Sequence, residues 1–320
     1  MTVVTRCRWR FLRDFLRFEV PRCPQKRLFH ISMDNVVTSN VRVKIPEDRT
    51  VPQFCWSKMD RIADLLSMTE GTRGTRKTHG DIQREAIQFG GALQELGMKK
   101  GDILSVILLN CPEFNVYGLL CILCVGSYQG THTVTMDKLD PVKFLELLRE
   151  YHPTILHLVP PMLNFFLNYP GIKSEDFASV RQFLCGAAPV SRNLVLALNS
   201  KFDLKNSYFA EGYGLTETSP ATHITPPFAP KYGSCGRPIP NTEVIVRDLN
   251  TGENLPANQP GEICVRGPQV MKGYWQNEKA TAEAIDPDGW FRTGDIGCFD
   301  EDGYFWILDR VKDLIKVKAL

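Results

Sequence analysis

Apolar residues recur at three- and four-residue spacing over residues 81–96 and stop at Gly97, which predicts an amphipathic helix with a glycine end. Lys99-Lys100-Gly101-Asp102 then turns into an unbroken apolar run over residues 103–109, the pattern of a buried strand. The helical spacing is also read over residues 56–66, 141–151 and 161–168. Short β-prone runs at residues 131–136, 154–159, 180–184 and 206–209 predict strands between the helices. Strands alternating with helices imply an α/β fold with a mainly parallel sheet covered on both faces. Beyond Gly236 the rhythm changes to strand and turn, with strands at residues 243–247, 261–265 and 304–308 and a turn at Asn250-Thr251-Gly252, so a small β subdomain is expected there. Pro226, Pro227 and Pro230 mark a loop ahead of it.

One segment stands apart. Arg6, Arg10, Arg13 and Arg17 fall on one helical face, opposite Trp9, Leu12, Phe15 and Leu16, and Asp14 is the sole acidic residue among them. That is the pattern of a mitochondrial presequence; an amphipathic surface helix, or translation starting at Met33, gives the same text.

Composition changes this picture little. A chain of 320 residues with 43% hydrophobic content buries a core and has room for roughly two domains. Lys and Arg number 38 against 36 Asp and Glu, so no basic field points to nucleic acid. No apolar stretch is long enough for an integral membrane segment, since the run at residues 103–109 is broken by Asn110 and Pro112. Cys121 and Cys124 sit in an apolar run and read as buried, not as half of a zinc site, and the scattered cysteines imply a reducing compartment.

The densest chemistry lies in Glu211-Gly212-Tyr213-Gly214-Leu215-Thr216-Glu217-Thr218. Its glycines let backbone approach a ligand closely, the tyrosine offers a ring face to a purine, the threonine hydroxyl donates to a phosphate oxygen, and the carboxylate suits Mg²⁺. The same residues also make a glycine-rich structural turn, and chemistry alone leaves both readings open.

The order of motifs narrows the choice. Tyr-Gly-Leu-Thr-Glu-Thr at residues 213–218 resembles the adenylate motif of the AMP-forming synthetases, which include acyl-CoA ligases, 4-coumarate-CoA ligases and beetle luciferases. Gly186-Ala187-Ala188-Pro189 precedes it; Gly236-Arg237-Pro238, Gly261-Glu262-Ile263-Cys264-Val265-Arg266-Gly267-Pro268, Gly289-Trp290-Phe291-Arg292-Thr293-Gly294-Asp295 and Asp309-Arg310-Val311-Lys312-Asp313-Leu314-Ile315-Lys316 follow in the family's order. The resemblance implies the family's large N-terminal domain, with parallel α/β layers plus a small β-barrel, and ATP or AMP, Mg²⁺ and CoA as cofactors. It implies that Tyr213 stacks on adenine, that Gly186, Ala187, Ala188, Pro189, Gly212, Gly214 and Leu215 line the nucleotide, and that Thr216 contacts the α-phosphate. It further implies that Glu217 ligates Mg²⁺, that Asp295 accepts both ribose hydroxyls, and that Arg310 lies against ribose and phosphate. Lys312 matches the hinge of the family's mobile lid and Lys316 a position associated with thioester formation; a solvated basic helix face is the other reading of all three basic residues.

The resemblance also exposes gaps. The family's phosphate loop, a Ser/Thr/Gly-rich stretch with a lysine, has no counterpart, and Thr69-Glu70-Gly71-Thr72-Arg73-Gly74-Thr75-Arg76-Lys77 reads as a β-turn. Asn110-Cys111-Pro112-Glu113-Phe114 resembles one early strand exit, Val116-Tyr117-Gly118-Leu119-Leu120 a much later segment, and the histidine expected at their junction is Asn115. The implied organisation is a leader or targeting segment at residues 1–32, a nucleotide-binding α/β region at 33–236 with a block missing near 115, a β subdomain at 237–308, and a hinge and stub at 309–320 without the C-terminal lid. The expected activity is ATP-dependent activation of a small carboxylic acid, fatty or 4-coumarate-like, and its transfer to CoA, impaired in a truncated or spliced chain. The competing expectation is a non-catalytic adenine-nucleotide-binding or interaction module. Peroxisome by resemblance, mitochondrion by the arginine face and cytosol stay open as compartments, Lys318-Ala319-Leu320 being a loose match to a peroxisomal tripeptide. The sequence does not fix the oligomeric state.

Overall fold

The computed structural model describes residues 3–6, 29–71, 74–95, 97, 99, 130–136, 140–186, 190–204, 207–227 and 229–311. The strand expected at 103–109, the Cys121 and Cys124 pair, the junction at Asn115, Ala187, Ala188, Pro189, Lys312 and Lys316 lie outside the described residues.

In chain order the elements are β1 (Val3–Arg6), β2 (Phe29–Ile31), β3 (Val37–Ser39), α1 (Val51–Cys55), α2 (Met59–Ile62), β4 (Leu66–Glu70), β5 (Arg76–Thr78) and α3 (His79–Glu95). They continue with β6 (His132–Thr135), α4 (Pro141–Tyr151), β7 (Ile155–Leu158), α5 (Pro160–Asn168), β8 (Gln182–Cys185), α6 (Arg192–Phe202), β9 (Tyr208–Gly214) and β10 (Ala221–Ile224). Last come β11 (Arg237–Pro238), β12 (Glu243–Arg247), β13 (Gly261–Arg266), α7 (Glu278–Ala284), β14 (Phe291–Phe299) and β15 (Phe305–Arg310).

Local chemistry explains the elements around the site. α4 begins where Asp140 accepts the Lys143 N–H on its side chain (2.7 Å) with Pro141 in the first turn, and ends at His152 in the left-handed region (φ 44°). Its Phe144, Leu145, Leu147 and Leu148 are buried, one stripe of an amphipathic helix. Asp140→Ala is expected to cost about 1 kcal/mol, read as a lower thermal midpoint with no change in the native circular dichroism spectrum.

Two sheets carry the architecture. The larger has nine strands in the order β11-β10-β9-β8-β7-β1-β6-β4-β5. Its β7-β8, β8-β9 and β4-β6 pairs are parallel, but the remaining pairs are antiparallel, so the sheet is mixed and not mainly parallel as the strand–helix alternation implies. The difference lies at the flanks, where hairpins replace crossovers, and at β1, which runs antiparallel to both neighbours: Val4 pairs with Val134 on one side and Leu156 on the other. Arg6 of the arginine pattern is therefore in a strand, not a helix; the β-branched Val3, Val4 and Thr5 favour extended backbone over the helix that arginine spacing implies. The helix read over residues 56–66 is likewise corrected to the short α2 followed by β4, which β6 and β5 recruit on either side. Thr69 pairs with Arg76 at the end of the antiparallel β4-β5 pair, in agreement with a chain reversal between them.

The second sheet is antiparallel throughout, in the order β15-β14-β13-β12-β3-β2. Its β2 and β3 come from residues 29–39, early in the chain. Aromatic contacts run across the larger core from α4 to β9, Phe144 to Phe166, Phe166 to Phe177, Phe177 to Phe183 and Phe183 to Phe209, with centroids 4.6–5.5 Å apart. This ladder packs against β9, and beyond β10 and β11 the large sheet meets the second one through the Gly236–Phe305 bridge, just ahead of β11.

Candidate nucleotide site at the junction of the sheets

β9 leads from the large core into the adenylate motif, and Tyr213 packs against the core of the second sheet. Its hydroxyl donates to Asp295 Oδ2 at 2.7 Å across a sequence separation of 82 residues. Burial, with the Asp295 carboxylate beside it, pushes the Tyr213 phenol up, so it stays a protonated donor. Arg310 sits opposite Asp295 in the β14-β15 register and donates from Nε to Oδ1 at 2.8 Å. Both oxygens of the buried Asp295 thus hold a protein partner, yet a carboxylate offers about four lone-pair directions, and about two are left for incoming hydroxyls. The free acceptor positions fit the two hydroxyls of a vicinal diol beside an aromatic face.

The other motif residues are arranged by contacts that sequence reading did not assign. Thr218 is fully buried and its hydroxyl pins the turn: it receives the Leu215 N–H (3.0 Å) and donates to Pro220 O (2.6 Å) or Leu215 O (3.0 Å). Thr216 is exposed at the start of that turn, and Glu217 accepts the Tyr274 hydroxyl on Oε1 (3.0 Å) while its carbonyl takes the Met271 N–H (2.7 Å). Among the described residues no three His, Cys, Asp or Glu side chains gather as a metal-ligand cluster. A cation at Glu217 would take its remaining ligands from phosphate oxygens and water, the ordinary arrangement for Mg²⁺.

Glu262 explains why two separate motifs travel together. Its Oε1 accepts the Gly294 N–H (3.2 Å) and its Oε2 the Arg292 Nε–H (2.9 Å), so a carboxylate on β13 shapes the irregular stretch of β14 that presents Asp295. Thr293 adds a bond to Ile263 O (2.8 Å) and receives the Asp295 N–H (3.1 Å). His223 is wholly buried between Tyr213 and Phe305, with centroids 5.6 and 4.5 Å away, and burial pushes it down to about 3, so it packs as a neutral ring. The paired glycines differ. A Cβ at Gly214 would lie 1.8 Å from Pro220 O, whereas one at Gly212 would meet nothing nearer than His223 O at 3.9 Å. Gly214 is therefore required by the chain itself, while Gly212 is open.

Of the residues expected from sequence, the structure brings Tyr213, Asp295 and Arg310 to one point, with Gly212 and Gly214 on β9 and Leu215, Thr216 and Glu217 on the turn that follows it. Gly186 closes β8 beside it, its N–H directed at Leu158 O (3.4 Å). A tyrosine and an aspartate from two strands are thus held together next to a Thr-Glu turn.

The chain belongs to the AMP-binding enzyme family, whose model matches residues 114–275. It is 40% identical over 259 residues to a probable 4-coumarate–CoA ligase 1 of Dictyostelium discoideum, covering 80% of this chain and 46% of that protein. It is also 40% identical over 283 residues to 4-coumarate:CoA ligase 1 of Petunia hybrida, covering 85% and 51%. The chain thus spans about half the length of the curated relatives it matches. Among solved structures, ATP-bound MatB from Rhodopseudomonas palustris superposes with a TM-score of 0.59 at 30% identity, covering 79% of this chain and 50% of that one. A luciferase-like enzyme from the mealworm Zophobas morio reaches a TM-score of 0.71 over 86% of this chain and 99% of its own; at 17% identity that likeness shows the fold alone.

Proposed function

We propose that the junction of the two sheets binds an adenine nucleotide and that the chain derives from an AMP-forming acid–CoA ligase. In that reaction a carboxylate oxygen attacks the α-phosphorus of Mg-ATP, pyrophosphate leaves, and the CoA thiol then displaces AMP from the acyl-adenylate. The observation that carries the reading is the 2.7 Å bond joining Tyr213 to Asp295, because it places an aromatic face beside a carboxylate that retains acceptor sites. In this arrangement the Tyr213 ring stacks on adenine, Asp295 takes the ribose hydroxyls, and Arg310 holds Asp295 in place. Thr216 and Glu217 meet the α-phosphate and its Mg²⁺. The acid is fatty or 4-coumarate-like, in line with the names of the relatives.

Adenylation by this chain is weak in the same reading. Activating ATP requires the triphosphate to be clamped and its developing charge neutralised, and the sequence carries no Ser/Thr/Gly-rich loop with a lysine to do so. Calorimetry with AMP, ATP and CoA, paired with ATP–pyrophosphate exchange, tests both parts. AMP binding with exchange orders of magnitude below that of an intact relative is the expected result. A folded sample with no affinity for AMP overturns the nucleotide site, and exchange at an intact relative's rate overturns the impairment. AMP binding with no exchange under any condition favours a non-catalytic nucleotide-binding module.

A further inference from the structure

Glu211 lies two residues before Tyr213 on β9, so the two side chains share a face of the sheet. Its backbone is held by Thr225, whose hydroxyl receives the Glu211 N–H (2.9 Å) and whose N–H reaches the Glu211 carbonyl (2.9 Å). Its carboxylate gathers two backbone donors from different loops: the Val190 N–H at Oε2 (3.0 Å), just past the Gly-Ala-Ala-Pro signature, and the N–H of Gly233 in the turn leading to β11. The titratable groups facing it are the thiols of Cys185 on β8 and Cys235 beside β11; burial, then the nearby Glu211 charge, pushes both up, Cys185 to about 12, so both stay neutral. Among the described residues no cation stands within ion-pair distance of it.

We infer that Glu211 is a positioning residue of the nucleotide site: its ionised carboxylate ties the loop at Val190 to the turn at Gly233, and its protonation loosens that tie and weakens nucleoside binding. The inference rests on the nucleotide-site reading above. The physical step is an acceptor count. An ionised carboxylate accepts from both N–H groups, whereas a carboxylic acid turns one oxygen into a hydroxyl that must itself donate. Burial lifts Glu211 to about 7, against the two backbone bonds that lower it, so both forms are populated near neutral pH.

Adenosine is the probe, because the phosphate of AMP titrates near pH 6 and would confuse the profile. For the wild type, affinity for adenosine is expected to rise about tenfold from pH 6 to pH 8, the equivalent of one charge-assisted bond. Glu211→Gln is expected to give a flat profile at the weaker level. In the wild type the amide resonances of Val190 and Gly233 are expected to titrate together, with the midpoint of the affinity curve. An unchanged pH profile in the Gln variant, a flat profile in the wild type, or amides that titrate apart overturn the inference and leave the nucleotide site standing. If the Gln variant does not fold, the wild-type amides decide alone. A folded wild type without affinity for adenosine at any pH removes the nucleotide reading and this inference with it.

Discussion

Asp295→Asn is expected to lower the affinity for AMP by about a hundredfold or more, with the fold retained. The carboxylate accepts from Tyr213 on one oxygen and from Arg310 on the other, and under the proposed function its remaining lone pairs take two ribose hydroxyls. A carboxamide presents one oxygen and one NH₂, and the NH₂ faces a donor whichever way it is turned, because both neighbours donate. Hydrogen bonds to a charged group are worth about 1.5–3 kcal/mol each, so losing the equivalent of two accounts for a hundredfold and more. Tyr213→Phe keeps the ring and removes a single bond, so its effect is about tenfold or less. Calorimetric titration with AMP on the three proteins makes the comparison; an Asn variant within threefold of the wild type would remove Asp295 from the site.

The two motif glycines separate structural need from ligand need. Gly214→Ala is expected to destabilise the protein by about 3 kcal/mol or more, since the added Cβ meets the backbone of Pro220 and Ala221, at the start of β10, which no rotamer change can move. In a thermal melt that is a midpoint lower by about 5–10 °C. Gly212→Ala has room and is expected to melt within about 2 °C of the wild type. If Gly212 is small so that nucleotide can approach backbone, the same variant loses AMP affinity at unchanged stability. A Gly212 variant that both melts and binds as the wild type assigns the motif's glycines to turn formation alone.

Much of the helix and strand pattern was legible because local and tertiary signals agree. Residues 141–151 carry an acidic cap, a proline in the first turn and an apolar stripe, and the helix found there has those bounds. Residues 56–66 mislead because apolar spacing suits a helix, while Met68 and Thr69 pair into the sheet and draw the chain into a strand from Leu66. Tyr213, Asp295 and Arg310 were legible as candidates through the order of motifs and not through spacing, since their meeting depends on how one sheet abuts the other. Glu262 and Tyr274 escaped for a related reason. Each supports a site residue across strands or loops, as Glu262 does through the shifted β13-β14 register, and a lone carboxylate or phenol leaves no trace of such a partnership in the text. His223 carries a signal of the opposite kind, a polar letter in a position where packing keeps it neutral.

β1 has a consequence for how the protein is made. Val3–Arg6 is synthesised well before the strands it joins, β6 and β7, so the sheet's two halves stay separate until translation has passed Leu158. A few residues act as a keystone. Any protease or receptor that withdraws them would split the sheet in the middle, where each half would then present a raw edge to other chains.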